Sequence, residues 1–490
     1  MRVHWRGVLI LLVCGGLLGL GGPTCKPALA GKRTLPAWAQ EAKQPVPWFD
    51  WGMDFRARLE RFPNVIDRTP GSTDPIGEWY RLRTRVYFNI KPSEDFKLKV
   101  RFTNESRPIM RPDHYRSANP HDMYDHFDEV LVDNLSIEWR NAFDLPITLR
   151  IGRQDMLAIP GTTGPNGTGF GNGFIFMDGT PGDGSRTFFF DAIRITLDLS
   201  SWIENSSLDI IAMNNDNYTH HHLPVIGNTD YRKVNEWSDE SYTLYFKNAS
   251  WIPRAQLDLY YMYEKKEYQH YKRWERRDAY LAYGTHINMI GAFLAGKLDD
   301  RTTYVLEGAV QFGAWGGADR RGLGTQASIE RTFPGWGNPA LKLRYIFLSG
   351  DDPDTSRNEA WDVMYSRWPY LDTELNEYLG ARENGVYYLT NLHAFAVQGK
   401  ISLSENVTFK AISQFLWADE NTFESGFGAK SALFGHGNYR GWNPIFIVKW
   451  EPATYFNTHI LWEYLDAGDY FEGTAKDNYY FLQVQVYMKF

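Results

Sequence analysis

Basic side chains recur at every second position in three short stretches of this chain: Arg56 and Arg58, then Arg81, Arg83 and Arg85, then Lys97, Lys99 and Arg101. A guanidinium is a planar fork of donors that matches a carboxylate through two parallel hydrogen bonds, whereas an ammonium is a compact point charge. Gathered on one surface, such groups recognise anions. Asp50, Asp54, Glu60 and Glu105 stand in the same stretches, so the pattern also describes an ion-pair network that stiffens a wall and selects nothing. Arg150, Arg194, Arg344 and Lys410 repeat the alternation singly elsewhere.

Other constellations carry less. His220, His221 and His222 are adjacent, and adjacent residues of an extended chain do not converge on one ion. The stretch SGDDPDTSRNE (349–359) offers Asp351, Asp352, Asp354 and Glu359 to calcium but lacks the glycine and the terminal glutamate of an EF-hand loop. A Gly-rich run at 161–173 has neither the Lys-Ser/Thr end nor the helix of a phosphate loop. As a long loop it is instead a candidate to fold inward and narrow a lumen. There is no GxSxG elbow, and His393 has no serine two or three residues away, so a barrel hydrolase is the alternative with least support. No metal and no cofactor is expected.

The elements that must carry the basic groups are strands. Over 49–60, Phe49, Trp51, Met53, Phe55, Ala57 and Leu59 share one face, and Asp50, Gly52, Asp54, Arg56, Arg58 and Glu60 share the other. The same sorting runs through 80–90 and 96–105. A helix would scatter these residues around its axis; a strand separates them. Weaker copies follow at 129–139, 145–155, 186–199, 206–214, 240–249, 255–265, 286–298, 302–313, 324–332, 340–349, 391–402, 406–417, 443–450, 456–465 and 478–490, about eighteen strands in all. Connections alternate between short ones (91–95, 140–144, 299–301, 403–405) and long ones (61–79, 108–128, 156–185, 215–239, 266–285, 350–390, 418–442). That asymmetry belongs to an antiparallel up-and-down transmembrane β-barrel with short periplasmic turns and long outer loops.

Composition agrees. Aromatics make up 16% of the residues although mean hydropathy is only −0.44, as expected for strands with one lipid face and one wet face. Residues 1–30 read as a cleaved signal peptide: Arg2 and Arg6, an apolar run at 7–22, and Ala28-Leu29-Ala30 at the cleavage site. Residues 31–490 then form a single barrel domain. Both cysteines, Cys14 and Cys25, lie in the leader, which leaves the mature chain without thiol chemistry. Losing Arg2, Arg6 and Lys26 takes the formal net charge from −7 to −10, which argues against a nucleic-acid partner. The last strand alternates to a terminal Phe490, which closes the wall against the first strand and resembles the signal read by the barrel assembly machinery.

Several stretches together resemble the alginate-export family of outer-membrane proteins: RLRTRVYFNIKP (81–92), LRIGRQDM (149–156), DGTPGDGSRTFFFDAIRI (178–195), EGAVQFG (307–313), YIFLSGDDPD (345–354), YLTNLHAFAVQGKISLSENVTFKAISQFLWADEN (388–421) and LWEYLDAGDYF (461–471). The resemblance covers essentially the whole mature chain. It implies a monomeric eighteen-strand barrel, not an enzyme, that passes an anionic polysaccharide such as alginate, with outer-membrane lipid and periplasmic scaffold proteins as partners. It also implies an inward Arg153. Strict alternation from Leu149 and Ile151 aims that residue at lipid, unless a bulge at Gly152 re-aims it. A charge on the lipid face costs about 2–4 kcal/mol at midplane, so the other basic residues must face inward. The expected lumen is locally basic, and a polyuronate with one carboxylate per sugar would thread past weak repeated sites. A diffusion porin for small anions or sugars is the alternative within the same class.

Overall fold

The computed structural model describes residues 32–63, 76–106, 109–111, 130–156, 190–215, 223, 226–227, 239–266, 284–315, 317–365, 390–421, 436–472 and 479–490. The leader, the histidine triplet and the Gly-rich run at 161–173 lie outside these residues.

A short helix α1 (Ala37–Lys43) precedes one antiparallel sheet. In chain order its strands are β1 (Phe49–Pro63), β2 (Ile76–Ile90), β3 (Phe96–Ser106), β4 (Ile109–Arg111), β5 (Leu131–Trp139), β6 (Ile147–Gln154), β7 (Phe190–Asp198), β8 (Ser206–Asn215), β9 (Asp239–Asn248) and β10 (Ala255–Lys266). They continue as β11 (His286–Asp299), β12 (Thr302–Trp315), β13 (Ala318–Thr332), β14 (Ala340–Leu348), β15 (Leu392–Ser402), β16 (Val407–Trp417), β17 (Tyr439–Ala453), β18 (Phe456–Ala467) and β19 (Tyr479–Lys489). Each long strand pairs with its sequence neighbours, and β4 resumes the pairing of β3 along β2. The sheet closes where Asp54 to Arg61 of β1 meet Lys489 back to Leu482 of β19. Among the described residues this gives eighteen full-length staves and no free edge, the condition for strands to stand in lipid.

Each alternating stretch of the sequence became a strand. The largest difference is β13, which begins at Ala318 rather than 324, so that only residues 316–317 separate it from β12. The alternating stretch of the sequence starts at Gly324 and leaves Gly322 out of it; both are strand positions whose missing side chains have another use, described below.

Burial follows the parity of the strands. Odd residues of β1 and even residues of β2 look outward, and so on around the wall. Ile137, Ile151, Ile193, Leu244, Leu259, Ile290, Leu306 and Val310 are all well exposed on this outer surface. A soluble monomer does not tolerate so continuous an apolar exterior; in hydrocarbon it is the stable arrangement. Tyr242, Trp442, Trp450, Trp462 and Tyr480 join it with amphipathic rings. No helix among the described residues is long and apolar enough to cross a membrane. The first residue of β1 and the last of β19 lie at the end with the short turns, where Phe490 donates its backbone N–H to the carbonyl of Met53 and Trp51 packs on the Phe490 ring.

Candidate functional site

Registration brings the basic stretches together on the inner wall. Arg56 lies opposite Arg83, Arg58 opposite Arg81, and Arg150 opposite Arg194. Like charges set directly across a strand pair repel, and here carboxylates are interposed. Glu60, fully buried, lies within 3.3 Å of Arg81 and 3.7 Å of Arg58, and it accepts the Trp79 indole N–H at 2.7 Å. Glu105 takes Arg81 at 2.9 Å and Arg56 at 3.6 Å. Asp54 receives both Arg85, at 2.9 Å, and Arg83, at 3.6 Å.

Farther round, the guanidinium of Arg101 bridges Asp133 at 2.6 Å and Asp155 at 2.7 Å, and Lys99 reaches Asp155 at 3.0 Å. Burial opposes ionisation of Asp155, but the charges of Arg101 and Lys99 outweigh it and hold this carboxyl well below its ordinary range. Arg150 pairs with Glu138, and Arg194 with Asp209 at 2.6 Å. Lys97, Lys99 and Arg150 share a polar recess with Asn134, Ser136, Glu138, Gln154 and Asp155. Asp133, Glu138, Asp155 and Asp209 come from strands or strand ends whose alternation is weaker, and the sequence alone did not link them to the basic stretches.

Gly152 has φ +111°, and a Cβ there would meet the Leu135 carbonyl oxygen at 2.2 Å. This irregularity turns Arg153 away from the exposed lipid surface on which Ile151 lies. Its side chain is almost wholly buried, forks onto both oxygens of Asp191 at 2.7 and 2.8 Å, and donates to the Val132 carbonyl. Arg153 is therefore tied into the wall between β6 and β7.

A second arc differs in kind. On β14 to β16 the inward positions, fixed by cross-strand register, are Ala340, Lys342, Arg344, Ile346 and Leu348; Leu392, Ala394, Ala396, Gln398, Lys400 and Ser402; and Thr408, Lys410, Ile412, Gln414 and Leu416. Four of these are cations and none is a carboxylate. Lys400 and Lys410 face one another directly, with Lys400 exposed and Arg344 hydrogen-bonded to Gln414 at 3.2 Å. Lys449 of β17 extends the arc toward the short-turn end, where it meets Glu451 at 2.8 Å. Arg344 and Lys410 are legible as inward residues from the sequence; Lys342, Lys400 and Lys449 follow from the same parity once the strand is registered.

Among the described residues no group of three or more His, Cys, Asp or Glu side chains is arranged to hold a metal. The acidic outer loop is tied to itself instead: Asp351 accepts the Glu359 backbone N–H at 2.9 Å, and Thr355 donates to Glu359. His393 hydrogen-bonds to the Tyr345 hydroxyl at 2.7 Å and to Asp419 at 3.0 Å.

Comparison with known proteins agrees with this architecture. The family model for alginate export matches residues 216–474, more than half of the chain. The stretches quoted from 81–195 lie outside that match, and their residues 81–90, 149–154 and 190–195 stand in the same closed sheet. No curated protein matches in sequence. In fold, the chain is similar to OpdO of Pseudomonas aeruginosa (TM-score 0.54, 10% identity, 91% of this chain and 98% of that one) and to a BenF-like porin from Pseudomonas fluorescens Pf-5 (TM-score 0.54, 8% identity, 90% and 98%). It is also similar to OccAB2 of Acinetobacter baumannii (TM-score 0.53, 12% identity, 90% and 98%). With its closed wall, apolar exterior and charged interior, the chain belongs to the alginate-export family and is a β-barrel channel of the outer membrane.

Proposed function

We propose that the barrel passes an anionic polysaccharide or oligosaccharide of the alginate type, with the cations of β14 to β16 as the track along which its carboxylates move. One observation carries this reading. Lys342, Arg344, Lys400 and Lys410 face inward from three successive strands that present no inward carboxylate of their own, with Glu330 of β13 opposite Lys342, so this face turns an excess of positive charge toward the lumen. A polyuronate carries a carboxylate on every sugar, and several weak contacts hold it without trapping it. The arginines of β1 to β7 are already engaged by the protein's own carboxylates, and their part in this reading is to keep the wall rigid.

Planar-bilayer recording tests the proposal. The native channel is expected to prefer anions and to show current block by polyuronate, and the triple change Lys342→Glu, Lys400→Glu and Lys410→Glu is expected to abolish both. Cation preference in the native channel, or block that survives the triple change, would sink it. The fold likeness to a BenF-like porin and to OpdO favours a second reading, a diffusion porin for small anions or sugars. Liposome swelling separates the two, because a diffusion porin admits monosaccharides and excludes the polymer.

A further inference from the structure

Segment 358–365, between β14 and β15, lies inside the barrel rather than above it. Its backbone and side chains bond to inward residues of four strands near the long-loop end. Asp362 is nearly fully buried and receives Lys266 Nζ on both oxygens, at 3.0 and 3.1 Å. Arg320 lies 3.9 Å from the same carboxylate and donates to Asn358 and to the Ala360 carbonyl. Gln311 clasps the Asp362 backbone, donating to its carbonyl at 2.7 Å and accepting its N–H at 2.8 Å. Tyr365 donates to Asp239 at 2.7 Å.

The wall is cut to receive this segment. A Cβ on Gly324 would stand 2.9 Å from the Trp361 ring, and one on Gly322 would stand 3.3 Å from the Trp361 Cα and from the Ala360 carbonyl oxygen. Two inward glycines of β13 thus form the slot in which Trp361 lies, and a side chain at Gly324 would press on its ring. An ordered strap of this kind, bonded at Asn358, Ala360, Asp362 and Tyr365, is not free to swing between strokes of transport. It occupies a fixed share of the cross-section.

We infer that 358–365 is the size-limiting wall of the pathway just inside the outer mouth, with Asp362 as the residue that positions it. The inference rests on the channel reading but not on the charge of the solute. It narrows the lumen beside β9, β10, β12 and β13, whose inward residues it bonds.

Two independent variants test it in the refolded barrel: Asp362→Ala, which removes the pin, and Gly324→Leu, which fills the slot. Each is expected to raise single-channel conductance about two-fold and to admit longer neutral oligosaccharides in liposome swelling. Each is also expected to speed trypsin cleavage after Arg357, which is already exposed, and Gly324→Leu, which leaves every charge in place, is expected to leave anion preference unchanged. Barrel folding is verified by the heat-dependent shift in gel mobility. An unchanged conductance and size cut-off in both folded variants would overturn the inference, whether or not cleavage after Arg357 is faster. Loss of anion preference in Gly324→Leu with an unchanged cut-off would overturn it too. The charge reading fails separately, when the native channel shows no preference for anions.

Discussion

The arc from β1 to β7 and the arc from β14 to β16 are both rich in inward cations, yet they are built on opposite principles. In the first, opposed arginines are separated by Glu60, Glu105 and Asp54, and further round Arg101 and Arg194 are held by Asp133, Asp155 and Asp209. In the second, Lys400 faces Lys410 across strands with no inward carboxylate. The number of cations alone therefore does not distinguish the two arcs; the balance of cations and carboxylates does. A cation held between carboxylates is structural, whereas an excess of cations over carboxylates along one face is what the proposed passage of an anion would use.

That contrast makes substitutions in the two arcs separable. The largest effect on stability is expected from Glu60→Gln, which leaves Arg81 and Arg58 short of their shared counter-charge in a buried site. Breaking a buried pair in this way costs about 3–5 kcal/mol, read as a fall in the urea midpoint of the folded barrel. A midpoint unchanged by Glu60→Gln would erase the distinction between the arcs. Next comes Gly152→Ala, which places a side chain at φ +111° against the Leu135 carbonyl. About 1–3 kcal/mol of strain is expected, in the same assay.

Lys400→Gln sharpens the comparison from the other side. Lys400 is exposed, and no carboxylate faces it from β14 or β16. Its replacement is expected to move stability by no more than about 0.5 kcal/mol while lowering the anion-to-cation permeability ratio. A stability loss comparable with that of Glu60→Gln would show the second arc to be structural as well.

The smallest effect is a pH dependence at the outer loops. Burial pushes the Asp351 carboxyl above its ordinary range, and it pushes Glu420 the same way with help from Asp419, Asp352, Asp354 and Glu359. A carboxyl raised by folding contributes stability that is present below its unfolded value, about pH 4, and that is lost as pH rises through the raised value. Trypsin cleavage at Arg357 should accordingly be slower in mildly acidic than in neutral buffer, once corrected for the pH dependence of trypsin on an unfolded peptide. Equal corrected rates would count against this coupling.

The strands were legible because lipid on one side and water on the other impose a period of two that few other environments impose. The eighteen alternating stretches fall where the staves are, and Phe490 ends the strand that closes the wall. Where glycines interrupt the pattern the reading falls short. Residues 318–323, Gly322 among them, fall outside the alternating stretch yet belong to a strand whose inner face is covered by Trp361.

By itself the sequence determined which residues of the regular strands face inward, since alternation is a local property of an extended chain; Arg153, turned inward at Gly152, is the exception. It did not determine which inward cations are compensated, because Arg101 meets Asp155 and Arg320 meets Asp362 across long separations in the chain. Nor did it place segment 358–365 inside the barrel. Those outcomes depend on strand register and on the path of a loop, and only closure of the sheet fixes both.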